Sequence, residues 1–175
     1  MARHFIRIVF LAAAAFALAG CTKEEVITEV TAVKEIGELA VYKVQYADLL
    51  TGKDNDVEVK YIAYMDALIC VDFAKTKITT SDSNPHVYYV IFPEFTVKQP
   101  RVIHDPKYSR VWKVSAARGK SPARVDKAIK IMAEAMITKK AQSPEYMEPA
   151  KEQAKSIVEA MIRAGDKDAS FVWEP

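Results

Sequence analysis

The strongest constraint on the fold is an alternation of side chains over residues 57–73. Every odd-numbered position in this stretch is apolar, so nine apolar side chains repeat with period two. Because successive side chains of a β-strand point to opposite faces, one face of this strand is predicted to be buried along its whole length. Seventeen residues exceed the usual length of a strand, so we expect a bend or a β-bulge at residues 65–67.

Shorter strand patterns lie on both sides of this alternation. Residues 40–46 alternate before it, and the glycine-containing segment 51–55 is expected to form the connecting turn. Residues 79–85 read as a polar loop. The strand candidates that follow are residues 86–92, 95–97, 110–114 and 171–173.

Helical spacing dominates the C-terminal third of the chain. Ser121 and Pro122 form a capping pair that predicts the start of a helix. The apolar face of that helix is predicted to contain Val125, Ile129, Met132 and Met136.

Proline and glycine set the expected bounds of the last helix. Because Pro149 cannot donate a backbone hydrogen bond, this helix is predicted to begin near Glu148 and to end before Gly165. A short helix ending at Gly37 precedes the first strand. The sequence therefore predicts a single α+β domain, with a mainly antiparallel sheet packed on one face by two C-terminal helices.

The N-terminus has the order of segments found in a secretory signal. Arg3, His4 and Arg7 form a positive head, and residues 8–19 are uncharged and mostly apolar. This run is shorter than the ~20 apolar residues that span a bilayer. It ends in Leu18-Ala19-Gly20-Cys21, which resembles the lipobox of bacterial lipoproteins.

The lipobox resemblance implies that residues 1–20 are a cleaved signal peptide and that Cys21 is the lipid attachment site. Three acyl chains, palmitate among them, would then hold residues 21–37 at the membrane and tether the domain formed by residues 38–175. Since the only other cysteine is Cys70, an acylated Cys21 leaves no possibility of an intramolecular disulfide.

The residues after Cys21 bear on the expected location. Thr22 is not the aspartate of inner-membrane retention signals, so we expect an outer-membrane protein, on the periplasmic face or at the cell surface. Lys23-Glu24-Glu25 resembles the surface-export signal of some Bacteroidetes lipoproteins. The two glutamates are equally consistent with the first turn of a helix, where the macrodipole favours acids.

Charge is distributed unevenly along the chain. Residues 23–72 contain five basic and eleven acidic residues, whereas residues 98–130 contain ten basic and two acidic residues. The basic segment either pairs with the acidic half of the chain or forms a patch for an anionic lipid, an anionic glycan or an acidic envelope protein. The candidate patch consists of Arg101, Lys107, Arg110, Arg118, Lys120, Arg124 and Lys127.

Tyrosines are concentrated in the predicted sheet, and they offer a second candidate surface. A tyrosine-lined face can hold a sugar ring or a peptide, although strand propensity also explains tyrosines that pack within the core or across strands. The six tyrosines concerned are Tyr42, Tyr46, Tyr61, Tyr64, Tyr88 and Tyr89.

Catalytic signals are weak. The sequence contains no His-x-x-x-His, Cys-x-x-Cys or Gly-x-Ser-x-Gly motif and no glycine-rich phosphate loop, so we predict no metal, no cofactor and no catalytic residue. The alternative is an envelope hydrolase that uses His104 or His86 with an aspartate, which requires a histidine nitrogen about 3 Å from a carboxylate. Asp105 precedes Pro106 and is therefore expected to form a turn.

Several short motifs together resemble the bacterial family called domain of unknown function 4230 (DUF4230). They are Glu38-Leu39-Ala40, Cys70-Val71-Asp72-Phe73, Phe92-Pro93, and Ala150, Ala154 and Gly165. The resemblance covers residues 26–173 and implies an envelope protein of unassigned role. Cys70 stands where the family has glycine, and phenylalanines replace two family leucines.

These expectations converge on one class of protein. Removing residues 1–20 leaves 23 basic and 23 acidic residues, and nucleic acid is an improbable partner for a neutral, exported chain. We therefore predict a lipid-anchored cell-envelope protein that binds or scaffolds without catalysing a reaction.

Overall fold

The computed structural model describes residues 30–54, 57–116 and 121–174. The predicted signal peptide (residues 1–20), Cys21, the segment Lys23-Glu24-Glu25, and Arg118 and Lys120 lie outside the described residues. In chain order the elements are helix α1 (30–35), β1 (Glu38–Asp54), β2 (Val57–Asp72), a 3-10 turn (Phe73–Lys75), β3 (Lys77–Thr80), β4 (Val87–Ile91), β5 (Thr96–Val102), β6 (Arg110–Ala116), α2 (Ala123–Ala141), α3 (Pro144–Gly165) and β7 (Ser170–Glu174).

The long alternating segment forms the central strand of the first sheet. Strand β2 lies between β1 on one side and β5 and β6 on the other, and both β5 and β6 run antiparallel to it. The predicted bulge is confirmed, because the register against β5 shifts between Asp66 and Leu68. On β5 the irregularity coincides with Gln99, whose φ is 51°, and with Pro100, which has no N–H for the ladder.

Helix α2 covers this sheet through a stripe of residues spaced by four. It packs against β5. Met132, which was expected on the buried face, is 42% exposed. The prediction failed because the buried stripe continues from Ile129 to Ala133 at a spacing of four, whereas the prediction stepped by three to Met132. The buried residues of α2 are Val125, Ile129, Ala133, Ile137 and Ala141.

Gly52 lies in β1 rather than in a turn. The predicted turn at residues 51–55 begins too early, because β1 continues to Asp54. A Cβ atom on Gly52 would lie 2.6 Å from Val125 Cγ1 and 2.7 Å from Ile129 Cγ1. The missing side chain therefore allows α2 to approach the strand closely.

A second sheet has the order β3-β4-β7, with β3 antiparallel and β7 parallel to β4. The predicted strands at residues 86–92 and 171–173 are confirmed. Strand β3 begins before the segment predicted as a polar loop and overlaps its first residues. In the second half of α3, Ala154, Val158 and Ile162 are fully buried.

Aromatic side chains form a continuous series beside this second sheet. Centroid distances between successive rings of Tyr88, Phe171, Trp173, Phe92 and Phe73 are between 5.6 and 6.2 Å. Each contact of this kind adds about 0.5–1.5 kcal/mol beyond the burial of its area. The series therefore connects β4 to β7 through side chains as well as backbone hydrogen bonds.

Helix α3 contradicts the predicted start near Glu148, because it begins at Pro144 and runs through Pro149. The backbone N–H that Pro149 lacks would have bonded four residues back, within the first turns of the helix. One lost hydrogen bond at that point does not break a helix whose later residues are buried.

The α+β class is confirmed, with an antiparallel sheet, two C-terminal helices and a short N-terminal helix. By its contacts the chain divides into two compact units. One contains Ala40–Val71 and Phe95–Gln153, and the other contains Asp72–Glu94, Ala154–Pro175 and the residues up to Leu39. None of the helices among the described residues is long and apolar enough to cross a membrane.

Cys70 does not disturb the backbone where the family has glycine. Among the described residues, positive φ angles occur at Gly37 and Gln99. Cys70 instead lies in β2 opposite Thr96, with a buried side chain. The thiol is therefore accommodated as a small apolar residue of the sheet.

Candidate binding site

An aromatic cavity is formed by β1, β2 and the loop between β5 and β6. Its volume is about 480 Å³, within the range typical of small-ligand sites. We refer to it as the tyrosine cleft. Its lining residues are Gln45, Tyr46, Ala47, Tyr64, Met65, Ile103 and Tyr108.

Two rings supply the exposed aromatic surface of the tyrosine cleft. Tyr64 is 39% exposed and Tyr108 is 41% exposed, although both are large and amphipathic. Their centroids lie 5.6 Å apart with an interplanar angle of 61°, which is an edge-to-face contact. The planes of the two rings therefore meet at an angle and form an aromatic corner.

Backbone hydrogen bonds place Tyr108 beside Tyr64. The Tyr64 carbonyl oxygen accepts from the Ile103 N–H at 2.8 Å, and the Tyr64 N–H donates to Ser109 Oγ at 2.9 Å. Within the loop, Asp105 Oδ1 accepts from the Lys107 N–H at 2.8 Å, and the Asp105 carbonyl accepts from the Tyr108 N–H at 2.9 Å. The predicted turn at Asp105 is thus confirmed, and it fixes the position of the second ring.

Cations lie against two of the lining tyrosines. Lys107 Nζ lies 5.4 Å from the centroid of Tyr108, and Lys140 Nζ lies 5.4 Å from that of Tyr46. Glu145 accepts a hydrogen bond from Lys140 at 2.9 Å and raises the pKa of that amine. The two side chains therefore place cationic groups against the faces of the lining rings.

An ion cluster of Lys43, Asp66 and Arg101 adjoins the tyrosine cleft. Asp66 is 3% exposed, and its carboxylate accepts from Arg101 Nε at 2.7 Å and lies 3.1 Å from Lys43 Nζ. The hydrogen bond from Arg101 lowers the pKa of Asp66 most strongly, and Lys43 lowers it further, against the effect of burial. The Lys43 side chain is 49% exposed and that of Arg101 is 64% exposed, so the cluster presents a net positive surface.

The ion cluster lines a second cavity of about 450 Å³ that also contains His104. Ile103 lines both this cavity and the tyrosine cleft, so the two are contiguous. His104 is exposed, whereas the carboxylate in the same cavity is already held by Arg101 and Lys43. Among the described residues, no hydrogen bond pairs His104 with an aspartate.

His86 does reach an aspartate. Its Nδ1 lies 2.9 Å from both carboxylate oxygens of Asp166, which is 2% exposed. Asp166 also accepts from the Tyr88 hydroxyl at 3.0 Å and from the Asp168 N–H at 3.2 Å. We call His86, Tyr88 and Asp166 the His86 staple. Its hydrogen bonds connect the start of β4 with Asp166, the residue that follows α3.

The hydrogen bond that His86 donates to Asp166 is the main cause of the raised pKa of His86, and the negative charge of Asp166 raises it further. His86 does not line the tyrosine cleft, the cavity of the ion cluster, or a third cavity of about 600 Å³ beside β3 and β4. The observed distance meets the requirement of the hydrolase alternative, but the satisfied carboxylate fits a structural contact equally well.

Five of the seven residues of the predicted basic patch lie among the described residues. Arg101 pairs with the acidic half of the chain through Asp66, as one of the two alternatives expected. Lys107 lies over Tyr108, and Arg110 is exposed on β6. Arg124 and Lys127 are exposed at the start of α2.

Sequence reasoning identified only part of this site. Of the six tyrosines in predicted strands, Tyr61 and Tyr88 are buried, and Tyr64 alone among them contributes an exposed ring to the cleft. Tyr108 was missed because it lies in a loop rather than in a strand. The Asp105-Pro106 turn was the signal that could have located it.

The fold and the cleft define an α+β protein with an exposed aromatic cavity beside a positively charged cluster. The profile of the family described as protein of unknown function (DUF4230) matches residues 31–170. The chain therefore belongs to the DUF4230 family. No curated protein and no solved structure is significantly similar to it.

Proposed function

We propose that this protein is a lipid-anchored protein of the bacterial cell envelope, with a binding domain that holds a saccharide in the tyrosine cleft. The observation that carries the proposal is the exposed corner formed by Tyr64 and Tyr108. A sugar ring has a flat face of C–H groups and a rim of hydroxyls. It therefore matches an aromatic wall that is bordered by hydrogen-bonding groups.

Polar groups around the cleft support a saccharide over a purely apolar ligand. Gln45 offers an amide donor and acceptor at the lining, and the adjoining cavity offers the exposed parts of Lys43 and Arg101. Hydroxyl groups of the sugar would satisfy these side chains while its ring lies against the tyrosines. The binding experiment below distinguishes a saccharide ligand from a peptide ligand.

The anchor is supported by the sequence at residues 1–21. The positive head, the short apolar run and Leu18-Ala19-Gly20-Cys21 together favour export and acylation at Cys21. An anchored domain meets its ligands at the membrane surface. In the proposed location, on the periplasmic face of the outer membrane or at the cell surface, these ligands would include envelope glycans.

The test is equilibrium binding of the detergent-solubilised full chain to a panel of purified envelope glycans and of unrelated peptides. Tyr108→Ala should weaken glycan binding by about 10- to 100-fold, since it removes most of one aromatic wall. Tyr108→Phe should retain most of the affinity, because it keeps the ring. Ile131→Ala is the matched control, as Ile131 is 59% exposed on α2 and does not line the cleft.

Binding that is unchanged in both Tyr64→Ala and Tyr108→Ala would contradict the proposal. Saturable binding of peptides alone, lost in the same variants, would keep the cleft but replace the ligand class.

An envelope hydrolase is the second candidate, and the observation that favours it is the 2.9 Å contact between His86 and Asp166. Hydrolysis of an envelope ester or glycan that is abolished in His86→Gln but unaffected in Tyr108→Ala would favour it. The binding proposal expects the opposite pattern, in which His86→Gln leaves glycan affinity unchanged.

A further inference from the structure

Strand β6 exposes an unusual set of side chains for the surface of a folded domain. All seven of its residues are exposed, including Val111 at 49%, Trp112 at 61% and Val114 at 46%. Single exposed apolar residues are common, but three of them within four residues of one strand form a group of the kind found at interaction surfaces. We call the surface formed by Lys107 and residues 110–114 the β6 surface.

The geometry of β6 argues against an added strand as its occupant. Strand β6 pairs with the first half of β2, where Lys60 is opposite Lys113 and Tyr61 is opposite Val111. Trp112 is therefore an extra residue, a β-bulge at the middle of the strand. Bulges and exposed lysines are the features by which edge strands avoid pairing with another chain.

Charge defines the kind of partner that fits this surface. Residues 106–125 contain six basic residues and no acidic residue. Three of the six, Lys107, Arg110 and Lys113, lie on the β6 surface and are exposed. On the strand paired with β6, Glu58 binds Lys53 at 3.0 Å and lies 3.8 Å from Lys60, so the local charge stays positive.

The register places Arg110 and Lys113 on the opposite face of the sheet from Val111 and Val114, so side chains from both faces meet only along the edge of β6. We propose that this edge of the β6 surface docks onto an anionic phospholipid membrane, with Trp112 at the interface and Arg110 and Lys113 against the headgroups. Tryptophan is enriched at membrane interfaces because its ring is apolar while its N–H remains in a wet environment. Each basic residue close to an anionic leaflet strengthens the contact by about fivefold. The residues of this contact are not part of the acyl anchor and do not line the tyrosine cleft, although Lys107 lies over the ring of Tyr108.

The test measures the fluorescence of Trp112 itself. It therefore uses the full chain and does not depend on membrane attachment through the acyl anchor. Only two tryptophans are present, and Trp173→Phe leaves Trp112 as the single one. This variant is reconstituted with vesicles of brominated phosphatidylcholine, with or without phosphatidylglycerol. We expect a blue shift and quenching of Trp112 emission when phosphatidylglycerol is present, and a much smaller change without it.

Charge reversal tests the role of the basic residues. Arg110→Glu with Lys113→Glu should reduce the local contact by about 30-fold or more. Lys139→Glu with Lys167→Glu changes the net charge equally at exposed positions elsewhere and should leave the quenching intact. If Trp173→Phe does not fold, the difference between the parent chain and Trp112→Phe gives the same signal.

Three outcomes would overturn the proposal. The first is Trp112 emission that does not respond to vesicles of either composition. The second is equal quenching without phosphatidylglycerol, or in the Arg110→Glu and Lys113→Glu variant. The third is a blue shift that depends on protein concentration in the absence of vesicles, which would assign the surface to a second copy of this chain.

Discussion

At the scale of single residues, close contacts decide what the sequence pattern leaves open. Glycine at position 52 suggested a turn, because glycine is common in turns, yet the structure uses it where α2 crosses β1. Asp66 lies at an even position of β2, which the alternation predicts to be exposed, yet it is buried because it pairs with Arg101 and Lys43, which are distant in sequence. Neither contact is encoded in the local pattern.

Gly52→Ala should lower the free energy of unfolding by about 1–3 kcal/mol, because the added methyl group would overlap Val125 and Ile129. Urea denaturation monitored by circular dichroism measures the change. In Gly52→Ala with Val125→Ala, the two losses should be less than additive, since the second change removes one of the clashing groups. Equal stability of Gly52→Ala and the parent chain would show that α2 does not approach β1 as described.

At the scale of secondary-structure elements, periodicity predicts strands and helices well but their ends poorly. The alternation at residues 57–73 gave β2 and its bulge, because both follow from strand length and burial. Helix α3 was predicted too short, since a buried apolar face outweighs one missing hydrogen bond at Pro149. Burial of the residues that follow Pro149 thus outweighs the local tendency of proline to end a helix.

The His86 staple predicts how stability depends on pH. Asp166 raises the pKa of His86 in the folded chain above the ordinary value of 6.5. The stabilisation is fully present below that value and is lost as pH rises through the higher pKa of the folded state. Urea titrations over this window should show a fall in the free energy of unfolding, and His86→Gln should remove this part of the pH dependence.

His104→Gln is the control for that measurement, because His104 is exposed and is not part of the His86 staple. Its pH profile should match that of the parent chain. A parent profile that is flat above pH 6.5 would mean that the His86 staple does not form in solution.

At the scale of the whole molecule, the sequence predicted the fold class and the presence of tyrosines on the sheet, but not the site. Tyr64 and Tyr108 are joined by hydrogen bonds between residues 45 positions apart, and His86 and Asp166 are 80 positions apart. Periodicity reports which face of an element is buried. It carries no information on which distant residues meet, so the cleft required the three-dimensional structure.

Cys21→Ser should release the protein from the membrane fraction or block its processing, because the acylated thiol is the proposed source of stable anchoring. Fractionation of cells followed by mass spectrometry of the N-terminal peptide measures both effects. Cys70→Ser is the matched control, since Cys70 is buried in β2 and should have no effect on fractionation. A Cys21→Ser chain that is still acylated and membrane-bound would contradict the anchor.

The most direct measurement of the central claim is an NMR titration that follows the ring resonances of individual tyrosines while a purified envelope glycan is added to the full chain. A domain that binds saccharides in the tyrosine cleft predicts saturable shifts at Tyr64 and Tyr108. The rings of Tyr61 and Tyr88, which are 7% and 0% exposed, should remain unchanged. Saturable shifts confined to tyrosines outside the cleft, or none with any envelope glycan, would contradict the account.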